Sequence, residues 1–210
     1  MNRPLAIFIN GPSSSGKSTL VKRLQKSLPR PFLHLGIDAM IELMPAHIND
    51  WDGGKAEEGY GWVSERDEKG NLLRHLEAGN FAQRIVDQSP EIAKSFLQLG
   101  FDVIVEEVCF QSGQFQKWQH ALEPFAALFV GVNSPVQVLV ERERLRGDRT
   151  EGSARAQSIT VHQGAEYHLL YSTPEQSIED CVDQILRAVQ DLEGRGGSFK
   201  SLKPASWSLS

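Results

Sequence analysis

Cysteine is scarce in this sequence: Cys109 and Cys181 are the only two, and they form no CxxC pair. This scarcity argues against a disulfide framework and favours a reducing compartment. Long hydrophobic runs are also missing, because the longest, residues 125–132, falls far short of the ~20 apolar residues that span a bilayer. The N-terminal segment lacks the pattern of a signal peptide. We therefore expect a soluble, cytoplasmic protein that does not act at a membrane.

The sequence has no excess of basic charge. It contains 22 Lys and Arg against 27 Asp and Glu, so its formal net charge is −5. DNA, RNA and anionic lipid need a basic face, so we expect no nucleic-acid partner, and any positive site must be local. A chain of 210 residues that is 40% apolar can build one packed core but not two comfortable domains. The sequence does not determine the oligomeric state.

Short apolar runs alternate along the chain with helical patterns. Strands are predicted at 5–9, 32–36, 101–105, 126–132 and 167–171, and the last helix at 177–192. The alternation predicts a three-layer α/β fold with a five-stranded parallel sheet and ligands at the carboxyl ends of its strands. We expect residues 45–71 to be irregular and 72–99 mostly helical, broken or bent near Pro90. Residues 1–193 should form one domain, followed by a flexible tail at 194–210.

A glycine-rich motif directly follows the first predicted strand. It reads Gly11-Pro12-Ser13-Ser14-Ser15-Gly16-Lys17-Ser18-Thr19 and fits the phosphate-loop pattern G-x-x-x-x-G-K-[ST]. We expect both glycines to adopt backbone angles that turn successive amides around a phosphate, in front of a helix N-terminus. Lys17 would reach the β- and γ-phosphates, and Ser18 would contact Mg²⁺. The motif predicts a P-loop NTPase fold of the nucleotide-kinase kind that binds ATP with Mg²⁺.

Other motifs narrow the class of P-loop protein. The guanine-reading N-K-x-D is missing after the fourth predicted strand, and Asp67-Glu-Lys-Gly70 reads as a polar turn. A small-molecule kinase needs a group near the acceptor hydroxyl, a carboxylate for the metal and arginines over the triphosphate. Asp38 is the candidate for the first role, and Glu106 is slightly favoured over Glu107 for the second.

Arg142, Arg146 and Arg149 are candidates for the arginines that cover the triphosphate. We expect them to lie on a lid at about 142–160.

Each of these assignments has a structural alternative. Asp38 is also suited to cap a helix beginning at Ala39, and the two glutamates would be ordinary solvated residues at a strand end. The arginines would form a charged helix face if Glu141 and Glu143 pair with them. Trp51, Tyr60 and Trp62 would form either an aromatic wall for an acceptor ring or the core of a long loop, while His162 is expected to be a structural hydrogen-bonding residue.

Together, the motifs resemble the chloramphenicol phosphotransferase family. The resemblance rests on the phosphate loop, on G-I-D-A-M-I-E-L-M-P at 36–45, on R-G-D-R at 146–149 and on V-H-Q-G-A-E-Y at 161–167. It implies phosphorylation of a primary hydroxyl, with Asp38 as the general base, Lys17 and Ser18 serving phosphate and metal, and the arginines around Gly147 forming the lid. The chain departs from the family where Glu106 and Glu107 replace paired aspartates, and near Ser172, where an acidic residue is replaced.

The expected activity is therefore ATP-dependent phosphorylation of a small-molecule alcohol, with chloramphenicol or a related compound as the leading acceptor. Two alternatives stay open at this stage. One is a P-loop kinase for another acceptor, such as a nucleoside, a sugar or a sugar nucleotide. The other is a non-catalytic ATP-binding regulatory module, which would show no acceptor-stimulated release of ADP and little dependence on Asp38.

Overall fold

A computed structural model describes residues 3–54, 56–147 and 150–194 of the chain. The strands are β1 (Leu5–Asn10), β2 (Phe32–Gly36), β3 (Tyr60–Arg66), β4 (Leu72–Ala78), β5 (Asp102–Glu107), β6 (Ala126–Asn133) and β7 (Leu169–Ser172). The helices are α1 (Lys17–Ser27), α2 (Ile37–Glu42), α3 (Asn80–Gln98), α4 (Gln114–Leu122), α5 (Val136–Arg146), α6 (Ser153–Thr160) and α7 (Ile178–Gly194), with a short 3-10 helix at Ala46–Ile48. The tail predicted at 194–210 lies outside the described residues except for Gly194, which ends α7.

Five parallel strands form the central sheet, in the order β2-β5-β1-β6-β7. This confirms the predicted α/β fold and its five-stranded parallel sheet. β1 is fully buried at the centre of the sheet, as expected for a continuous apolar run in a parallel sheet. Its register pairs Asn10 with Glu107 on one side and with Gly131 on the other. The chain leaving β1 therefore enters the edge where the neighbouring strands end, which is where ligands bind in such sheets.

Helices cover both faces of the sheet. On one face, Leu24 of α1 and Ile185 of α7 pack with the strands in one buried cluster. On the other, Leu97 of α3 and Trp118 of α4 pack around Phe8. Burial of these side chains, each at 2% exposure or less, supplies the hydrophobic stabilisation of the predicted three layers. None of the helices in the described residues is long and apolar enough to cross a bilayer.

The region between α2 and α3 differs from the prediction. Residues 60–78 form an antiparallel hairpin, in which Tyr60 pairs with Ala78 and Arg66 with Leu72. The predicted irregular loop and the predicted helix starting near residue 72 were therefore wrong here. Leu72 and Leu76 lie four residues apart, which imitates a helical pattern, whereas their strand pairing is set by contacts with β3. The predicted polar turn at 67–70 is confirmed, because the Lys69 amide donates to the Asp67 carboxylate and the Gly70 amide donates to the Asp67 carbonyl at 2.9 Å.

The predicted helix is not broken at Pro90, so of the two predicted outcomes, a break or a bend, the break was wrong. α3 runs without interruption from Asn80 to Gln98 and contains Pro90. Pro90 is one of the buried residues of the helix, together with Val86, Ala93 and Leu97. Burial of this apolar face, on a helix of 19 residues, outweighs the hydrogen bond that proline removes from the helix interior.

Candidate active site

The phosphate loop connects β1 to α1 with two residues in the left-handed region. Ser14 has φ 63° and Gly16 has φ 103°, and Gly16 is the N-cap of α1. A left-handed residue that follows a right-handed or extended one turns successive amides toward a common centre, which creates an anion-binding concavity. The hydroxyls of Ser14 and Ser15 are buried and have no hydrogen-bond partner among the described residues. The loop therefore has the geometry and the unsatisfied polar groups of a phosphate site.

Gly11 has a different role from the one predicted. Its φ does not lie in the left-handed region. Instead, a Cβ added at this position would collide with the carbonyl group of Val132 on the neighbouring strand β6. Glycine is needed at position 11 because the backbone of the loop passes directly against β6, and the unusual backbone angles belong to Ser14 and Gly16.

Lys17 lies inside the loop. It is buried, and its Nζ donates a hydrogen bond to the carbonyl of Pro12, 2.9 Å away. That contact folds the long side chain back over the loop rather than out into solvent. The ammonium is thereby held above the amides, where it adds positive charge to the anion-binding concavity.

Only some residues of the phosphate-loop motif line a cleft in which a ligand could bind. Ser13, Ser14, Gly16, Lys17 and Ser18 line a cleft of about 690 Å³. Gly11, Pro12, Ser15 and Thr19 are not among its lining residues; Thr19 is exposed in the first turn of α1. Gly11, Pro12 and Ser15 shape the backbone of the loop rather than line the cleft.

Ser18 and Glu106 meet on the floor of this cleft. The Ser18 hydroxyl donates to Glu106 Oε1 at 2.5 Å, and His34 Nε2 lies 3.1 Å from the other carboxylate oxygen. Burial alone would raise the pKa of Glu106, but the contact with His34, the charge of Lys17 and the bond from Ser18 outweigh it and hold the pKa below its usual value. Glu106 is thus an ionised carboxylate beside a hydroxyl. Hard cations bind to oxygen ligands of this kind.

Glu107 contrasts with its neighbour. It is only 3% exposed, and its Oε2 has no hydrogen-bond partner among the described residues. Burial raises its pKa to about 8, and the nearby charges of Asp38 and Glu106 add to the effect against the opposing charge of Lys17. The alternative that both glutamates are solvated was wrong for Glu107. Because a neutral carboxyl is a weaker cation ligand, the electrostatics favour Glu106 as the metal candidate.

Asp38 lies on the wall of the cleft, in the first turn of α2. That helix begins at Ile37 rather than Ala39, and its N-cap is Gly36, so the expectation that Asp38 caps the helix was wrong. A Cβ on Gly36 would lie 2.6 Å from the carbonyl oxygen of Glu106, which shows how closely β2 approaches β5. This approach places the exposed Asp38 carboxylate in the same cleft as Lys17 and Glu106.

The arginines of the predicted lid lie at different places. Arg146, at the end of α5, lines the cleft. Arg142 does not line it; its Nη1 donates to Thr173 Oγ1 at 3.0 Å and to the carbonyl of Ser14 at 3.4 Å. Arg142 therefore braces the phosphate loop from outside the cleft. Arg149 lies outside the described residues.

Glu143 joins α5 and α6, the two helices of the predicted lid. Its buried carboxylate accepts hydrogen bonds from the amides of Gly152 and Ala154 at 2.8 Å each and from the Ser153 hydroxyl at 2.7 Å. These partners are the N-cap residue and the first two residues of α6, whose N-terminus favours a negative charge. The predicted pairing of Glu143 with neighbouring arginines was wrong, because the carboxylate fastens α6 to α5 instead. Helix α5 ends at its C-cap, Gly147, which has φ 67°.

An apolar wall closes the other end of the cleft. Trp51, Trp62, Leu76 and Ile41 line it, and the rings of the two tryptophans lie 6.4 Å apart. Tyr60 is 1% exposed, its ring stacks on that of Trp51 at 6.5 Å, and Leu76 and Ile41 pack against the buried cluster that contains it. The core interpretation is therefore confirmed for Tyr60, whereas Trp51 and Trp62 line the cleft, where an acceptor ring stays a prediction.

Two residues of this site were not predicted from the sequence. His34 contacts Glu106 from β2, and Gln157 of α6 accepts a hydrogen bond from the Ser13 amide at 2.6 Å. Neither has a local signature, because each contact joins elements far apart in the chain. By contrast, His162 is confirmed as structural: its Nδ1 lies 2.8 Å from the Tyr167 hydroxyl, beneath the phosphate loop.

The parallel sheet, the phosphate loop and the shared cleft define this chain as a P-loop kinase-fold protein. Solved structures agree on the fold. The APS kinase CysC of Mycobacterium tuberculosis, in complex with AMPPNP and APS, superposes with a TM-score of 0.61 over 90% of this chain and 99% of its own, at 15% identity. A gluconokinase from Sinorhizobium meliloti gives a TM-score of 0.58 over 93% of this chain and 97% of its own, at 16% identity.

Sequence comparison shows the family. The family model for chloramphenicol phosphotransferase-like proteins matches residues 5–190, so this chain belongs to that family of small-molecule phosphotransferases. Among curated proteins, one of Mycobacterium tuberculosis that carries the name "Putative O-phosphotransferase" is 24% identical over 184 residues, covering 88% of this chain and 81% of the relative.

Proposed function

We propose that this protein transfers the terminal phosphoryl group of ATP to a hydroxyl group of a small molecule, with chloramphenicol or a chemically related alcohol as the acceptor. One observation carries the proposal: a single cleft contains the phosphate loop, the Ser18–Glu106 pair, Asp38 and an apolar wall. A nucleotide-binding module without an acceptor has no need for a carboxylate and an apolar pocket beside its phosphate loop. The family match supports the same reaction class.

The residues present fit a triphosphate with magnesium. The loop amides and Lys17 would bind the β- and γ-phosphates. Ser18 and Glu106 would hold Mg²⁺, which takes oxygen ligands and usually combines one or two carboxylates with phosphate oxygens and water. The described residues contain no cluster of three or more His, Cys, Asp or Glu suited to a metal ion. Bound by Ser18 and Glu106, Mg²⁺ would neutralise phosphate charge.

The chain's own residues would act as follows. Asp38 orients the acceptor hydroxyl and takes its proton as the new oxygen–phosphorus bond forms and the bond between the β- and γ-phosphates breaks. Lys17 and Arg146 stabilise the negative charge on the transferring group. Arg142 braces the loop through Ser14. Arg149 would add charge from the lid, as the family resemblance implies, and closure of the lid would exclude water.

The apolar wall supports an acceptor that carries an aromatic ring. Trp51 and Trp62 contribute aromatic surface to the lining of the cleft, and Leu76 and Ile41 add aliphatic surface. Burial of such a surface against an apolar ring would contribute favourable binding free energy, whereas a sugar rich in hydroxyls would contribute little. Chloramphenicol, an aromatic alcohol, has the required combination of ring and primary hydroxyl.

The test is acceptor-stimulated release of ADP from ATP and Mg²⁺, measured for the native chain and for Asp38→Asn with chloramphenicol and a panel of other alcohols. We expect stimulation by chloramphenicol or a related aromatic alcohol, and a loss of about 10²- to 10⁴-fold in the variant, which is the usual contribution of a general base. Stimulation only by nucleosides or sugars would overturn the acceptor class. Tight ATP binding without stimulation by any acceptor would favour the regulatory module.

A further inference from the structure

Gln157 joins the lid to the phosphate loop. It lies on α6, is 7% exposed, and its Oε1 accepts a hydrogen bond from the Ser13 amide at 2.6 Å. The orientation of the carboxamide follows from chemistry: a backbone N–H can only donate, so the oxygen must face Ser13 and the nitrogen must occupy the other position. The Nε2 group has no hydrogen-bond partner among the described residues.

The contact with Ser13 leaves the anion site accessible. Ser13 precedes Ser14, whose left-handed φ of 63° begins the turn of the loop. The amides that converge on an anion follow that residue, so Gln157 binds at the rim of the concavity rather than within it. Ser13 and Gln157 both line the cleft, together with Lys17 and Arg146. A carboxamide fixed at this rim presents a donor beside the place where the outermost phosphate would lie.

We propose that Gln157 contacts the terminal phosphoryl group of the bound nucleotide, donating a hydrogen bond from Nε2 while Ser13 holds its Oε1. The inference rests on the proposed function, since it assumes a nucleoside triphosphate on the loop. A fixed donor beside the transferring group would stabilise the charge that its oxygens carry in the transition state, without reorganisation. The contact also explains why α6 approaches the loop: the lid carries a neutral donor in addition to its arginines.

The first test is nucleotide binding, which needs no acceptor. Calorimetry would compare ADP with a non-hydrolysable ATP analogue for the native chain, Gln157→Ala and Gln157→Met, the second of which keeps the side chain's length. We expect binding of the analogue to weaken about tenfold, as for loss of one hydrogen bond to a charged group, and binding of ADP to change little. Gln163→Ala is the matched control: Gln163 is exposed on the same segment and bonds the carbonyl of Ile159.

The outcomes separate the possible roles. Equal weakening of both nucleotides would assign Gln157 a structural role and overturn the inference. Tighter binding of both would show that Gln157 obstructs the loop, and would overturn it as well. Failure of the native chain to bind either nucleotide would overturn the proposed function, whereas a selective loss for the triphosphate supports the inference whatever the acceptor is.

A second test uses turnover with whichever acceptor stimulates ADP release. Gln157→Glu keeps an acceptor for the Ser13 amide and replaces the donor by an oxygen. We expect kcat to fall about 10²-fold, the usual cost of losing one donor to a developing charge, while the KM for the acceptor stays within about twofold, because Gln157 contacts phosphate rather than acceptor. An unchanged kcat, or a change confined to the acceptor KM, would contradict the inference.

Discussion

His162 should make the stability of the protein sensitive to mild acid. This residue is only 9% exposed, and its Nδ1 lies 2.8 Å from the Tyr167 hydroxyl. That hydroxyl in turn accepts a hydrogen bond from the side chain of Asn10, at the end of β1. Burial lowers the pKa of His162 to about 4, and the charge of Lys17 adds to the effect against the opposing hydrogen bond with the Val132 backbone. The folded protein therefore holds this ring neutral at a pH where a free histidine is charged.

The sign and size of the effect follow from linkage. The ordinary pKa of 6.5 applies to the unfolded chain, so between pH 6.5 and about 4 the unfolded state takes up a proton that the folded state does not. The contribution of His162 is thus fully present above pH 6.5 and is lost as the pH falls through the folded-state pKa. The free energy of unfolding should fall by up to ~1.4 kcal/mol per pH unit from this group, or about 3 kcal/mol in all.

Chemical denaturation across this pH window would test the argument with His162→Asn, which removes the titrating ring. We expect the native chain to lose stability toward acid more steeply than the variant, even if the variant is less stable throughout. His120→Asn, at an exposed position on α4, is the control and should follow the native curve. Parallel curves for the native chain and His162→Asn would refute the reasoning.

Three further predictions concern the lid, the loop and the metal. Glu143→Ala should lower the free energy of unfolding by about 3 kcal/mol, because three hydrogen bonds to a buried carboxylate are lost. Hydrogen exchange in α6 should rise in the same variant. Glu141→Ala, at an exposed position, should change neither the free energy of unfolding nor the exchange. Gly11→Ala should lower the free energy of unfolding by about 1–3 kcal/mol through its collision with β6, and an unchanged free energy of unfolding in chemical denaturation would contradict that account. Glu106→Gln should raise the Mg²⁺ concentration for half-maximal activity by about tenfold or more; an unchanged Mg²⁺ requirement would remove Glu106 from the metal site.

Local sequence patterns predicted the parts of the site that depend on local backbone geometry. The phosphate loop needs a strand, a left-handed turn and a helix in direct succession, and all three are contiguous in the chain. Asp38 and Glu106 were identified because each lies where a parallel strand ends, and the ends of parallel strands share one edge of the sheet. Such inferences succeed because the topology turns positions in sequence into positions in space.

The features missed in the sequence depend on contacts between distant segments. Leu72 and Leu76 have helical spacing, and only pairing with β3 makes their segment a strand. Glu143 lies among arginines in sequence, yet its carboxylate binds the start of α6 across the Gly147 break. Gln157 reaches the phosphate loop from a helix 144 residues further along the chain. No periodicity or motif encodes contacts of this kind.

The most direct measurement of the central claim follows the phosphoryl group itself. ATP carrying a radioactive label in its terminal phosphoryl group would be incubated with Mg²⁺, chloramphenicol or a related aromatic alcohol, and the native chain or Asp38→Asn, and the products would be separated. The account predicts that the native chain moves the label onto the acceptor hydroxyl and that the variant moves almost none. Label that stays in ATP, or appears only as inorganic phosphate with every acceptor, would contradict it.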